Sequence, residues 1–113
     1  MSEIKLECFP SGKPHFRFTY KNGKLQLVEQ WNHEGQLMYR INYKNGRKDG
    51  LYEGWHENGQ LWCKCTYKNG KYNGIYEEFH ENGQLYYITS YNDGLNCGLY
   101  ERWHDDGELC PDA

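Results

Sequence analysis

The sequence predicts an all-β fold: a tandem β-hairpin repeat array forming an elongated, twisted antiparallel meander sheet. Three observations carry this. One short phrase is written four times, as Trp31-Asn-His-Glu-Gly35-Gln-Leu37, Trp55-His-Glu-Asn-Gly59-Gln-Leu61, Phe79-His-Glu-Asn-Gly83-Gln-Leu85 and Trp103-His-Asp-Asp-Gly107-Glu-Leu109, with its leading aromatic every 24 residues. A fixed period of this length marks a repeat architecture. Each copy also holds two turn-forming steps, one at Gly35, Gly59, Gly83 and Gly107, the other at Asn22-Gly23, Asn45-Gly46, Asn69-Gly70 and Asp93-Gly94. Asn-Gly tolerates the positive φ of a two-residue hairpin turn. Between the turns lie short runs rich in Tyr, Trp, Ile, Leu and Thr, which read as strands.

Taken in order, the units cover approximately residues 4–23, 24–46, 47–70, 71–94 and, in part, 95–110, within a single domain spanning 1–113. The first is recognised by spacing: Gly12 precedes Tyr20 by eight residues, as Gly35 precedes Tyr43, Gly59 Tyr67 and Gly83 Tyr91. The second turn of each unit reads as longer than the first. A further glycine at Gly50, Gly74 and Gly98 absorbs a bend or bulge. The link from Asn22 to Leu27 is one residue shorter and lacks that glycine, so an irregularity is expected there. About nine strands result, and at ~4.8 Å per strand the sheet should run on the order of 45 Å. Pro111 cannot extend a hydrogen-bond ladder and is expected to stop the terminal edge.

Composition narrows the function classes. The 113 residues carry a net charge of −3, with 11 Tyr and 4 Trp supplying apolar area that scarce aliphatics do not. The total disfavours nucleic-acid binding. No signal-peptide pattern and no long apolar segment is present, so a cytoplasmic, intracellular protein is expected, in the host cytoplasm if the source is viral. Five cysteines is an odd number and argues against a closed disulfide framework. Cys63 and Cys65 fill slots held by Tyr39 and Ile41 in the preceding copy and read as small apolar filler. No metal and no cofactor is expected.

A two-residue turn at Asn58-Gly59 places Trp55 opposite Trp62, Glu53 opposite Lys64 and Leu51 opposite Thr66 on one face. Tyr52, Gly54 and His56 then face Cys65, Cys63 and Leu61 on the other. The same count sets Glu29 opposite Arg40, Trp31 opposite Met38, Glu77 opposite Ile88 and Phe79 opposite Tyr86. Within the hairpins Glu77 and Glu101 have no basic partner. The row Glu29, Glu53, Glu77, Glu101 reads as cross-strand charge pairing rather than a catalytic track, because copies ~10 Å apart cannot converge two carboxyls on one bond. The same spacing keeps His56, His80 and His104 from sharing a metal, and they read as strand-end polar residues.

The stretch Gly50-Leu-Tyr52-Glu53-Gly54-Trp55-His-Glu-Asn-Gly59-Gln-Leu61, followed by Tyr67-Lys-Asn-Gly70, resembles the MORN repeat family in its variant from bacteria and large DNA viruses. Gly74-Ile-Tyr76-Glu77-Glu-Phe79 and Gly98-Leu-Tyr100-Glu101-Arg-Trp103 repeat the match without the second glycine. The resemblance implies a hairpin array used as an interaction or membrane-proximal module, with antitoxin-like members that partner a toxin.

The leading functional expectation is a non-enzymatic module that binds a protein partner across an aromatic face formed by Trp31, Trp55, Trp62, Phe79, Tyr86 and Trp103. The competing reading is that these rings pack on one another between copies. The alternative function is a peripheral adaptor for anionic membranes, using a basic turn edge of Lys21, Lys24, Lys44, Arg47, Lys48, Lys68 and Lys71. The opposite edge collects Glu34, Glu57, Glu81, Asp105, Asp106 and Glu108. Homodimerisation through the terminal edges is a further expectation, and no catalytic constellation is found.

Overall fold

A computed structural model describes residues 2–110, with Leu99 described by its backbone alone. Nine strands form one sheet in chain order, all antiparallel: β1 (Ser2–Cys8), β2 (Pro14–Lys21), β3 (Lys24–Trp31), β4 (Leu37–Lys44), β5 (Arg47–Trp55), β6 (Leu61–Lys68), β7 (Lys71–Phe79), β8 (Leu85–Asn92) and β9 (Leu95–Arg102). A bridge between Trp103 and Leu109 begins the next hairpin. The molecule measures 48 × 33 × 17 Å, as a single sheet of this many strands requires. The expected stop at Pro111 lies outside the described residues.

The two turn families differ from expectation, and in the opposite sense. At Asn22-Gly23, Asn45-Gly46, Asn69-Gly70 and Asp93-Gly94 both residues have positive φ, and the flanking residues pair directly, as in Lys68 with Lys71. These are the two-residue turns. At the other end Gly59 N–H donates to His56 O at 3.0 Å and His56 N–H to Gln60 O at 2.8 Å. Gly59 has φ of 89° while Asn58 does not enter the left-handed region, so the loop has three residues and ends on a left-handed glycine. Gly12, Gly35, Gly83 and Gly107 repeat the pattern.

One extra residue on each returning strand compensates for the longer loop. Trp55 pairs with Leu61, not Trp62, and Gly54 pairs with Cys63, leaving Trp62 as the bulged residue. The same correction applies to Trp31, which pairs with Leu37 instead of Met38, and to Phe79, which pairs with Leu85 instead of Tyr86. Beyond the bulge the expected register is restored: Glu53 with Lys64, Leu51 with Thr66, Glu29 with Arg40, Glu77 with Ile88. At the opposite end Gly50 and Gly74, with φ of 97° and 104°, lie within two-residue register shifts. The shorter link before Leu27 absorbs only one residue, between the pairs Tyr20–Leu25 and Thr19–Leu27, and needs no left-handed glycine.

With no second layer among the described residues, the apolar core lies on one face of the sheet. Cys63 and Cys65 are buried there at 2% and 3% exposure, with Thr89 beside them in the register row Cys65, Tyr76, Thr89. Around them runs a continuous web of rings in which Tyr67 and Tyr72 lie 4.8 Å apart, Tyr72 and Tyr91 4.8 Å, and Tyr72 and Tyr76 5.5 Å edge-on. Burial pushes the Cys63 thiol up to about 12, Cys65 to about 11 and the Tyr52 phenol to about 12. This is the tyrosine face.

Candidate functional site

The other face, the tryptophan face, presents the side chains that alternate with the tyrosines. Its central row follows the register across the sheet: Leu6, Arg17, Glu29, Arg40, Glu53, Lys64, Glu77, Ile88, Glu101. From Arg17 to Glu77 the charges alternate without a break. Glu77 therefore does have a basic partner, Lys64, on the neighbouring hairpin, a pairing that counting within hairpins missed. Like charges are never neighbours in this stretch; the two rungs at Glu29 close to ion-pair distance, and the others set opposite charges in register.

Glu29 anchors the row. It is 2% exposed, and its two oxygens are held by Arg17 Nη2 at 2.6 Å and Arg40 Nε at 3.3 Å. Both guanidiniums also lie over rings, Arg17 5.7 Å from the Trp31 ring and Arg40 6.0 Å from Trp55. Each cation is thus held between a carboxylate on one strand and the indole two residues further along that neighbour or its equivalent. The tryptophans are half-buried, clamped on one side by the charge row.

The six aromatic residues expected to form one binding face are divided between two. Trp31 and Trp55 lie on the tryptophan face beside Arg17 and Arg40, and Phe79 and Trp103 hold the equivalent positions opposite Leu85 and Leu109. Trp62, displaced by the bulge, turns to the tyrosine face, where its ring meets Tyr39 edge-on at 6.3 Å and covers Gly54. Tyr86 occupies the same bulged slot one unit later and packs edge-on against His80 at 4.8 Å. A one-residue bulge suffices to move a side chain to the opposite face.

Two cavities open onto the tryptophan face. One of about 340 Å³ lies among Gln36, Leu37, Arg40, Trp55 and Gly59. The other, about 380 Å³, is lined by Ile75, Ile88, Thr89, Ser90, Tyr100 and Glu101. Four of the latter, Ile75, Ile88, Ser90 and Glu101, belong to this face by register. Ile75 is 57% exposed. None of them stood out as a site residue in the sequence. The signal is the break in charge alternation at Ile88, legible only when the pairings between hairpins are written beside those within them.

At the glycine-loop end, the histidines are stitches between copies. His56 Nε2 donates to Phe79 O and His80 Nε2 to Trp103 O, each at 2.8 Å. Asn58 and Asn82 amides reach the Glu81 and Asp105 carbonyls beside them at 2.6 Å. Where Glu34 replaces asparagine, Gln36 Nε2 makes the bond instead, to Glu57 O. The basic edge forms the other end, with Lys21 paired to Lys24, Lys44 to Arg47 and Lys68 to Lys71. Lys48 does not belong to it. Its ammonium lies 5.3 Å from the Tyr52 and Tyr67 rings, over the tyrosine face.

Three consecutive stretches, residues 27–45, 48–69 and 72–93, match the MORN repeat variant family. No curated protein and no solved structure gives a significant match to the chain. The matched stretches extend from β3 to the turn after β8, and the units before and after them share the strand and turn pattern.

Proposed function

Since the chain belongs to the MORN repeat variant family, we propose that it is a non-enzymatic protein-interaction module that receives a partner segment across its tryptophan face. MORN repeats are commonly protein- or membrane-interaction modules and are generally non-catalytic. The observation that carries the reading is the contrast between faces. The centre of the tyrosine face is filled by its own interlocking rings, its cavity of about 340 Å³ lying out at the basic turns beside Leu25 and Tyr43, whereas the tryptophan face keeps two cavities, the exposed Ile75 and half-buried indoles. A rigid aromatic and aliphatic surface flanked by charges has the makeup of a protein-binding patch.

The test is selection of peptides from a random display library on the full chain. Capture should fall in Thr66→Lys and Ile75→Lys, two exposed positions of this face, with each variant still folded by circular dichroism, although Thr66 gives up its hydrogen bond to the Asn73 carbonyl. Peptides that bind both variants as well as the parent would place the docking surface elsewhere.

A second reading is favoured by the like-charge pairs at the basic edge. Lys21–Lys24, Lys44–Arg47 and Lys68–Lys71 each set two cations opposite one another, an arrangement unfavourable in isolation and relieved by an anionic surface. Sedimentation with phosphatidylserine vesicles, weakening as salt rises, is the outcome expected for that adaptor role. Sedimentation no greater than with neutral vesicles rules it out.

A further inference from the structure

We infer that the cavity at Ile88 is a socket for one basic side chain of the partner, an arginine or lysine that completes the charge row. The inference rests on the docking face proposed above and states the chemistry of its occupant. The chain supplies its own template. Arg17 and Arg40 each reach the Glu29 carboxylate while lying over Trp31 and Trp55 respectively. Lys64 holds the same place in the register between Glu53 and Glu77. One hairpin later that place belongs to Ile88, with Glu77 opposite on one side and Glu101 on the other.

Substitution of a long cation by isoleucine does two things. It leaves two glutamates flanking a rung that has no positive charge of its own, and it shortens the side chain. The opening of about 380 Å³ coincides with this rung. Of its lining, Ile75 and Ile88 suit the methylene stem of a lysine or arginine, and Glu101 suits the charged head. A guanidinium entering from outside meets Glu101 as the chain's own Arg17 and Arg40 meet Glu29. An acidic or wholly apolar occupant would leave Glu101 facing a like charge or no charge.

The full chain, labelled with nitrogen-15, is titrated with acetyl-arginine amide and, separately, with acetyl-norleucine amide. Saturable shifts are expected at Ile75, Ile88, Ser90 and Glu101 with the arginine probe and not with the neutral one. Glu101→Gln should weaken them about tenfold, the loss of one charge-assisted contact. Ile88→Arg, which fills the socket with the chain's own guanidinium, should abolish them while preserving the rest of the spectrum. Shifts that do not saturate, that the norleucine probe reproduces, or that survive unchanged in Glu101→Gln overturn the socket. Display-selected peptides that still depend on Thr66 and Ile75 while the arginine probe is ignored would overturn the socket alone and leave the docking face standing.

Discussion

The imidazole Nε2 of His56 donates a hydrogen bond of 2.8 Å to the main-chain carbonyl of Phe79, 23 residues further along the chain. His80 does the same to Trp103. A carbonyl only accepts, so the proton resides on Nε2 in each case. These bonds join one glycine loop to the next at the end of the sheet where the three-residue loops would otherwise splay. His56→Ala and His80→Ala should each cost about 1 kcal/mol, read as a lower midpoint in urea denaturation. Midpoints equal to the parent's would show that the stitches contribute nothing.

Along the charge row, position decides cost. Glu29 is buried with an arginine on either side, whereas Glu101 is exposed at the last strand opposite Ile88. Glu29→Gln should destabilise by about 1–2 kcal/mol, discounted because both arginines remain partly in water. Glu101→Gln should change stability by less than about 0.5 kcal/mol. Equal losses for the two would contradict the row as drawn. Parallel urea titrations of both variants decide it.

The buried thiols make two expectations. At pH 8 a thiol reagent should modify exposed Cys8 and Cys97 rapidly, and Cys63 and Cys65 only as the chain unfolds. Folded-state values for Cys63, Cys65 and Tyr52 are raised to about 12, 11 and 12 from 9.0, 9.0 and 10.0. Below pH 9 both states are protonated and the stability is fully present. As pH rises from about 9 toward 12 the unfolded chain ionises first, so stability is lost across that window. Melting temperatures measured from pH 7 to 11 should be level to pH 9 and fall beyond it.

Gly54 illustrates how the bulge constrains the sequence. A Cβ added there would stand 2.9 Å from Trp62 Cε3, 3.2 Å from Cys63 Sγ and 3.2 Å from Tyr39 Cε1. Gly54→Ala should therefore cost about 1–3 kcal/mol through overpacking, measured by thermal denaturation. Trp62→Leu in the same chain should recover part of the loss, since the closest clash is with the indole. The equivalent position one unit later holds Glu78, where the bulged residue is Tyr86.

The meander was legible because the Asn-Gly steps and the 24-residue period each constrain the chain independently, and they agree. The interior register was also legible, though the turn from which it was counted has a different geometry. The three-residue loop at Glu57–Gly59 and the extra residue at Trp62 cancel, so Glu53 still meets Lys64. The bulge itself was not legible. The same Asn-Gly pair folds two ways, left-handed at Asn69 but not at Asn58, whose side chain accepts the Gln60 N–H at 2.9 Å. Nor did the sequence reveal which face is core. Both carry aromatics at period two, and only the ring contacts separate the interlocked tyrosines from the tryptophans clamped by arginine.

The measurement that bears most directly on this division compares Tyr76→Ala with Ile75→Thr by equilibrium unfolding. The two positions are adjacent in β7 and point to opposite faces. Tyr76 meets the rings of Tyr72, Tyr87 and Tyr91 and donates to Glu78 at 2.7 Å, whereas Ile75 is 57% exposed beside the cavity. The tyrosine face as core predicts a loss of about 3 kcal/mol for Tyr76→Ala and less than about 0.5 kcal/mol for Ile75→Thr. A larger loss at Ile75 than at Tyr76 would put the core on the tryptophan face and remove the surface on which a partner is proposed to lie.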